Sequence, residues 1–170
     1  PYTSVLVTKT WLDAAGSQMA PVKDIEFTLM RQVEGGTPEE AGTQTLASTA
    51  DPYQLVWDNQ PLTDNAARPY RYYLVESGTP ANFIFTSGTQ VLSADRATLT
   101  VPTYNRYQIP TGRAIVTKVW EGGPVIKPDV HLALGRNGTT ATYGVTIQNG
   151  DGLTQVFSEN LPFTDAQGNP

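Results

Sequence analysis

Cysteine is absent from the 170 residues, which excludes disulfides, thiolate metal sites and a cysteine nucleophile. Histidine occurs once, as His131, so neither a histidine-built metal site nor a histidine-dependent triad is expected, and parity puts it opposite Val130, Leu132 and Leu134, toward solvent. No run approaches roughly 18 consecutive apolar residues and no charged-then-apolar leader opens the chain, so neither a membrane span nor a signal peptide is expected in this stretch. A secreted protein would then have to extend beyond it. Basic charge is scarce: 11 Lys and Arg against 16 Asp and Glu leave a net charge of −5, which argues against nucleic acid and anionic membrane surfaces as partners.

What is present favours strands. The chain is 39% hydrophobic, enough for a core, and its 15 Gly and 13 Pro, with many Thr and Val, suit short strands and turns. An all-β fold is expected.

Side chains on a strand alternate faces, so Val5, Val7, Lys9 and Trp11 share one side of the opening strand. A lysine among valines and a tryptophan points into the expected core, where an unpaired ammonium is costly to desolvate. Two further residues break parity in the same way. Glu76 falls on the face of Tyr70, Tyr72 and Leu74, and Asn105 on the face of Val101, Tyr107 and Ile109. A neutral lysine is a nucleophile, asparagine offers an electrophilic carbonyl carbon, and a carboxyl group between them can shuttle protons. The product would be a side-chain amide, with ammonia leaving. The plainer reading of each residue is a snorkelling lysine, a strand-end carboxylate and an asparagine satisfying local backbone. Three coincident violations favour the chemistry.

The chain also repeats itself. Ala114-Ile115-Val116-Thr117-Lys118-Val119-Trp120 restates the opening strand, Pro128 to Leu134 restates Lys23 to Leu29, and Phe157 to Asp165 restates Trp57 to Asp64 with one insertion. Two tandem modules are expected: residues 1–111, complete, and residues 112–170, a second copy incomplete at its C-terminal end, without counterparts of Glu76 and Asn105. Lys118 is therefore expected to stay an unreacted amine. The junction Pro110-Thr111-Gly112 is short and stiffened by proline, which predicts a semi-rigid connection.

These motifs resemble the Cna protein B-type domain, the repeated stalk module of Gram-positive surface adhesins and pilins. The resemblance rests on Val7-Thr8-Lys9-Thr10-Trp11 and its echo Val116 to Trp120, on Pro61-Leu62-Thr63-Asp64 leading to Tyr72-Tyr73-Leu74-Val75-Glu76, on Leu161 to Asp165, and loosely on Thr103-Tyr104-Asn105-Arg106-Tyr107. It implies tandem Ig-like β-sandwich modules, with an internal Lys to Asn bond promoted by Glu in the complete one. Here that is Lys9 to Asn105 with Glu76 as proton shuttle. Thr103 stands where the family has an apolar residue, so Asp95 is the second candidate for the cross-link, a bond that would expel water instead. The implied setting is the cell-wall-anchored, extracellular surface of a Gram-positive bacterium. The implied partners are neighbouring repeats of the same protein, with no cofactor, no metal and no enzyme activity beyond a single self-directed turnover.

The alternative is a ligand-binding adhesin module, gripping a host protein or glycan through loops at one end of the sandwich or a face rich in Tyr70, Tyr72, Tyr73 and Tyr104. A hydrolase acting through Glu76 lacks a second acid at glycosidase spacing. Asn149-Gly150-Asp151-Gly152 reads as a hairpin turn and not a calcium loop, Asn137-Gly138-Thr139 as a turn and not a used glycosylation site, and Val33 to Asp51 as a long loop or a weak pair of strands.

Overall fold

The computed structural model describes residues 1–135, 143–148, 154–156 and 160–170; the Asn137 and Asn149 turns and the Phe157 to Glu159 segment lie outside them. The described residues are all strand, turn and loop, with no helix long and apolar enough to cross a membrane. They divide into two compact units: Pro1–Gln108 with Ala166–Asn169, and Ile109–Asp165 with Pro170. Ala166–Asn169, near the end of the sequence, thus group with the first unit.

The first unit is a two-layer β-sandwich of Ig-like type. Its strands are β1 (Tyr2–Leu12), β2 (Gln18–Met19), β3 (Ile25–Val33), β4 (Glu39–Leu46), β5 (Gln54–Pro61), β6 (Tyr70–Ser77), β7 (Phe83–Ser87), β8 (Val91–Leu92) and β9 (Thr98–Tyr107). One layer centres on β1 and β9, which run parallel with Val7 opposite Val101 and Lys9 opposite Thr103. The far edge of β1 pairs with β5 and β2, and that of β9 with β7 and β8, all antiparallel. The other layer is β4-β3-β6, antiparallel throughout. Val5, Val7, Trp11, Trp57 and Val101 from the first layer meet Ile25, Phe27, Leu29, Leu46, Tyr72 and Leu74 from the second in one core. Alternation explains it, since each strand turns every second side chain to the same interior.

Val33 to Asp51 differs from expectation: it contains one full strand, β4, paired along β3. Among β4 side chains only Leu46 is fully buried, so pairing and not hydrophobic alternation makes it a strand. Side chains stitch the layers where their edges meet. Trp57 Nε1 donates to the Gly42 carbonyl at 3.2 Å and Gln44 Nε2 to that of Val56 at 2.8 Å. Gly42, beside a register shift in β4, holds φ of 135° and would set a Cβ 3.4 Å from the Trp57 ring, so glycine suits both backbone and contact.

The second unit contains three two-stranded antiparallel ladders among its described residues: β10 (Thr111–Gly112) with β15 (Leu161–Pro162), β11 (Ile115–Thr117) with β14 (Thr154–Val156), and β12 (Val130–Leu134) with β13 (Tyr143–Ile147). The echo of the opening strand is shorter than its sequence suggests, and Lys118 lies just beyond its end. Val116, Lys118 and Trp120 are half-buried where Val7, Lys9 and Trp11 are buried.

Candidate functional site

The three parity violations meet inside the first unit. Lys9 comes from the middle of β1, Asn105 from β9 beside it, and Glu76 from β6 across the sandwich, where it pairs with Phe27. The Lys9 and Glu76 side chains are 0% and 1% exposed and Asn105 is wholly buried. Lys9 Nζ donates to Glu76 Oε2 at 2.5 Å, and Asn105 Nδ2 donates to Glu76 Oε1 at 2.7 Å. One carboxyl group therefore spans the amine and the carboxamide, one oxygen on each.

The surroundings are apolar. Lys9 Nζ lies 4.9 Å from the centroid of Phe85, 5.3 Å from Phe27 and 5.4 Å from Trp11, three rings that exclude water and face the nitrogen with their electron-rich faces. Trp11 is itself fixed, its Nε1 donating to the Tyr53 hydroxyl at 2.9 Å. Burial pulls the Lys9 amine from its ordinary 10.5 down to about 8, against the hydrogen bond and charge of Glu76, which pull it up. A minor neutral fraction, about a tenth near pH 7, is therefore available, as a nucleophile requires.

Asn105 Oδ1 is buried and has no hydrogen-bond partner among the described residues. An unpaired buried acceptor costs about 1–3 kcal/mol.

Thr103, the departure from the family pattern, is 1% exposed, and its hydroxyl donates to the Thr8 carbonyl at 2.8 Å. A buried hydroxyl satisfied by the neighbouring strand replaces the apolar side chain and ties β9 to β1 one residue from Lys9.

Asp95 is not brought to this group. It is exposed in the turn between β8 and β9, accepting from the Ser93 hydroxyl at 2.6 Å and the Ala97 amide at 3.0 Å, bonds that hold its carboxyl below the usual carboxylate range. Both bonds lie within that turn. Lys118 lies in the second unit, half-buried, with Nζ 2.8 Å from the Val119 carbonyl and 4.2 Å from the Trp120 ring centroid. His131 is exposed, with Nδ1 2.8 Å from Thr146 Oγ1, and no group of three or more potential metal ligands occurs among the described residues.

The four tyrosines do not form one face. Tyr70, Tyr72 and Tyr73 line a cleft of about 510 Å³ with Gln32, Arg71 and Gln90, but Tyr72 is 4% exposed and its hydroxyl is engaged by the Pro61 carbonyl at 2.6 Å. Tyr104 borders a separate cleft on the other layer, with Leu12, Ile84 and Arg106.

Sequence reasoning missed Phe85, Phe27 and Thr79. The two phenylalanines carried a signal, since Phe83-Ile84-Phe85 and Ile25 to Leu29 alternate like β1. Thr79 carried none. It lies in the turn after β6, outside any periodicity, yet its Oγ1 donates to Glu76 Oε1 at 2.7 Å.

Comparison with known proteins adds three findings. The family model for the Cna protein B-type domain matches residues 5–100. No curated protein matches the chain. Among solved structures, two B repeat units of the collagen-binding protein Cna of Staphylococcus aureus share 19% identity over 99% of this chain and 42% of theirs, with a TM-score of 0.49. The pilus backbone RrgB from Streptococcus pneumoniae shares 18% over 61% and 34%, TM-score 0.43, and the pilus adhesin SpaC from Lactobacillus rhamnosus GG 19% over 94% and 19%, TM-score 0.41. The chain thus spans less than half the length of each of these structures.

Proposed function

The chain belongs to the Cna protein B-type domain family, and from that premise we propose that it is a structural spacer of a bacterial surface adhesin or pilus, locked by an intramolecular amide bond between Lys9 and Asn105. The observation that carries this reading is the buried Glu76 carboxyl, with Oε2 on the lysine nitrogen and Oε1 on the carboxamide. Its setting would be the outer, cell-wall-anchored surface of a Gram-positive cell, with neighbouring repeats of the same protein as its partners.

The geometry supports the following chemistry. Neutral Lys9 Nζ attacks Asn105 Cγ, the Nζ–Cγ bond forms, and the Cγ–Nδ2 bond breaks. Nζ sheds one proton to Glu76 through Oε2, and Nδ2 gains one from Glu76 through Oε1, so the carboxyl group ends as it began and ammonia departs. Burial among the aromatic walls lowers the amine's affinity for its proton and shields the site from water. The reaction occurs once per molecule and leaves no enzyme. Intact-mass measurement tests it: the folded protein should be lighter than its sequence by one ammonia, and an unmodified mass would reject the bond. Loss of one water would instead implicate an aspartate.

A second reading, a ligand-binding module for a host protein or glycan, is favoured by the cleft beneath Tyr70 and Tyr73. Tyr73→Ala should abolish adhesion to host matrix if that cleft is the binding face, and should leave the amide bond intact under either reading.

A further inference from the structure

We propose that Thr79 is a positioning residue for the cross-link, its hydroxyl holding the Glu76 carboxyl in the orientation that joins Lys9 to Asn105; this rests on the bond proposed above. Glu76 is the last inward-facing residue of β6, and its neighbour Ser77 closes the pairing with β3 opposite Glu26. The chain must turn there. Gly78 makes the turn with φ of 78°, a conformation that a side chain disfavours, and Pro80 bars Thr79 from the helical region. Fenced on both sides, the half-buried Thr79 turns back, and its Oγ1 donates to Glu76 Oε1 at 2.7 Å.

Glu76 receives three side-chain donors: Lys9 on Oε2, and Asn105 and Thr79 on Oε1. Two of the three are the reacting groups. As the Nζ–Cγ bond forms and Nδ2 leaves, both of those contacts change, and Thr79 alone contributes a bond to Glu76 that the reaction neither makes nor breaks. It also grips the oxygen assigned to deliver the proton. Without it, Oε1 would be held only by the group it must protonate, and the carboxyl plane could rotate away from the line between Nζ and Nδ2. A displacement of about 1 Å in a catalytic group costs up to roughly 100-fold in rate. A threonine that merely finished the turn would leave that rate alone.

The test is a time course of ammonia loss by intact mass, using full-length chain recovered unfolded before any bond has formed and then refolded across a range of pH. Thr79→Val keeps the shape and removes the hydroxyl; it should slow cross-linking about tenfold or more while refolding to the same far-ultraviolet spectrum. Thr79→Ser, which restores the hydroxyl, should recover most of the rate. A wild-type rate in Thr79→Val, or equal slowing in both variants, would overturn the role of the hydroxyl and leave the bond standing. A wild-type chain that never loses ammonia would overturn both. Should Thr79→Val fail to refold, Thr79→Ala measured beside Thr79→Ser makes the same comparison.

Discussion

At Lys9 burial and charge act in opposite directions, and the balance sets a pH dependence. The amine titrates near 8 in the fold against 10.5 in an exposed chain, with burial as the larger influence and Glu76 opposing it. Between these values the unfolded chain binds more protons than the folded one, so unfolding free energy rises with pH from about 8 to 10.5; below about 8 both forms are protonated and the slope vanishes. This holds only while Lys9 remains an amine. Asn105→Ala, which cannot cross-link, should therefore gain stability in denaturant titrations as pH is raised through that window. The same variant carrying Lys9→Met should not. The cross-linking rate in refolded wild type should likewise climb with pH up to about 8, as the neutral amine accumulates. Glu76→Gln should fold and keep its ammonia, whereas Asp95→Asn should cross-link at the wild-type rate, because Asp95 only shapes an exposed turn.

At the scale of elements, the site exists because two strands lie parallel and a third faces them. Lys9 opposite Thr103 on the β1–β9 ladder sets the register, and a slip of one residue would turn Asn105 outward. The Thr103 hydroxyl on the Thr8 carbonyl pins that register with a side chain. Thr103→Val, close in volume but without the donor, should cost the uncross-linked Lys9→Ala protein about 1 kcal/mol in chemical denaturation; no change would mean that the hydroxyl bond is dispensable. The inward turn of Lys9, Glu76 and Asn105 was legible because period two needs only the order of residues. β4 was not, for its Gly, Glu and Thr residues carry no alternation and become a strand only against β3. Thr79 was invisible for a related reason: a turn has no period, and only the fold reveals that Gly78 brings its hydroxyl back to Glu76. The two lysine strands show the limit most directly. Nearly the same residues give eleven strand positions in β1, flanked by β5, β2 and β9, and three in β11, which pairs only with β14 among the described residues. Partners, more than local sequence, set strand length.

At the scale of the whole molecule, the proposed bond changes what force can do. Tension reaching the first unit enters through β1 and leaves through β9, strands that lie side by side and are held only by non-covalent pairing and packing unless they are cross-linked. With Lys9 joined to Asn105, the load passes through an amide, and residues 10 to 104 lie outside the force path. Closing a loop of that size should also stabilise the unit by about 4–5 kcal/mol if the chain-entropy estimate for disulfides carries over. Unlocked, the same segment could pay out on the order of 300 Å of chain. In single-molecule pulling of the full chain, any extension from the second unit is common to wild type and to Lys9→Ala, so the difference between them isolates the first unit. Lys9→Ala should show one additional unfolding event of about that length, and Glu76→Gln should show it too, because it retains both reacting side chains but not the acid that joins them. Equal contour lengths in wild type and both variants would reject the load-bearing spacer and shift weight to a binding role for the cleft beneath Tyr70 and Tyr73.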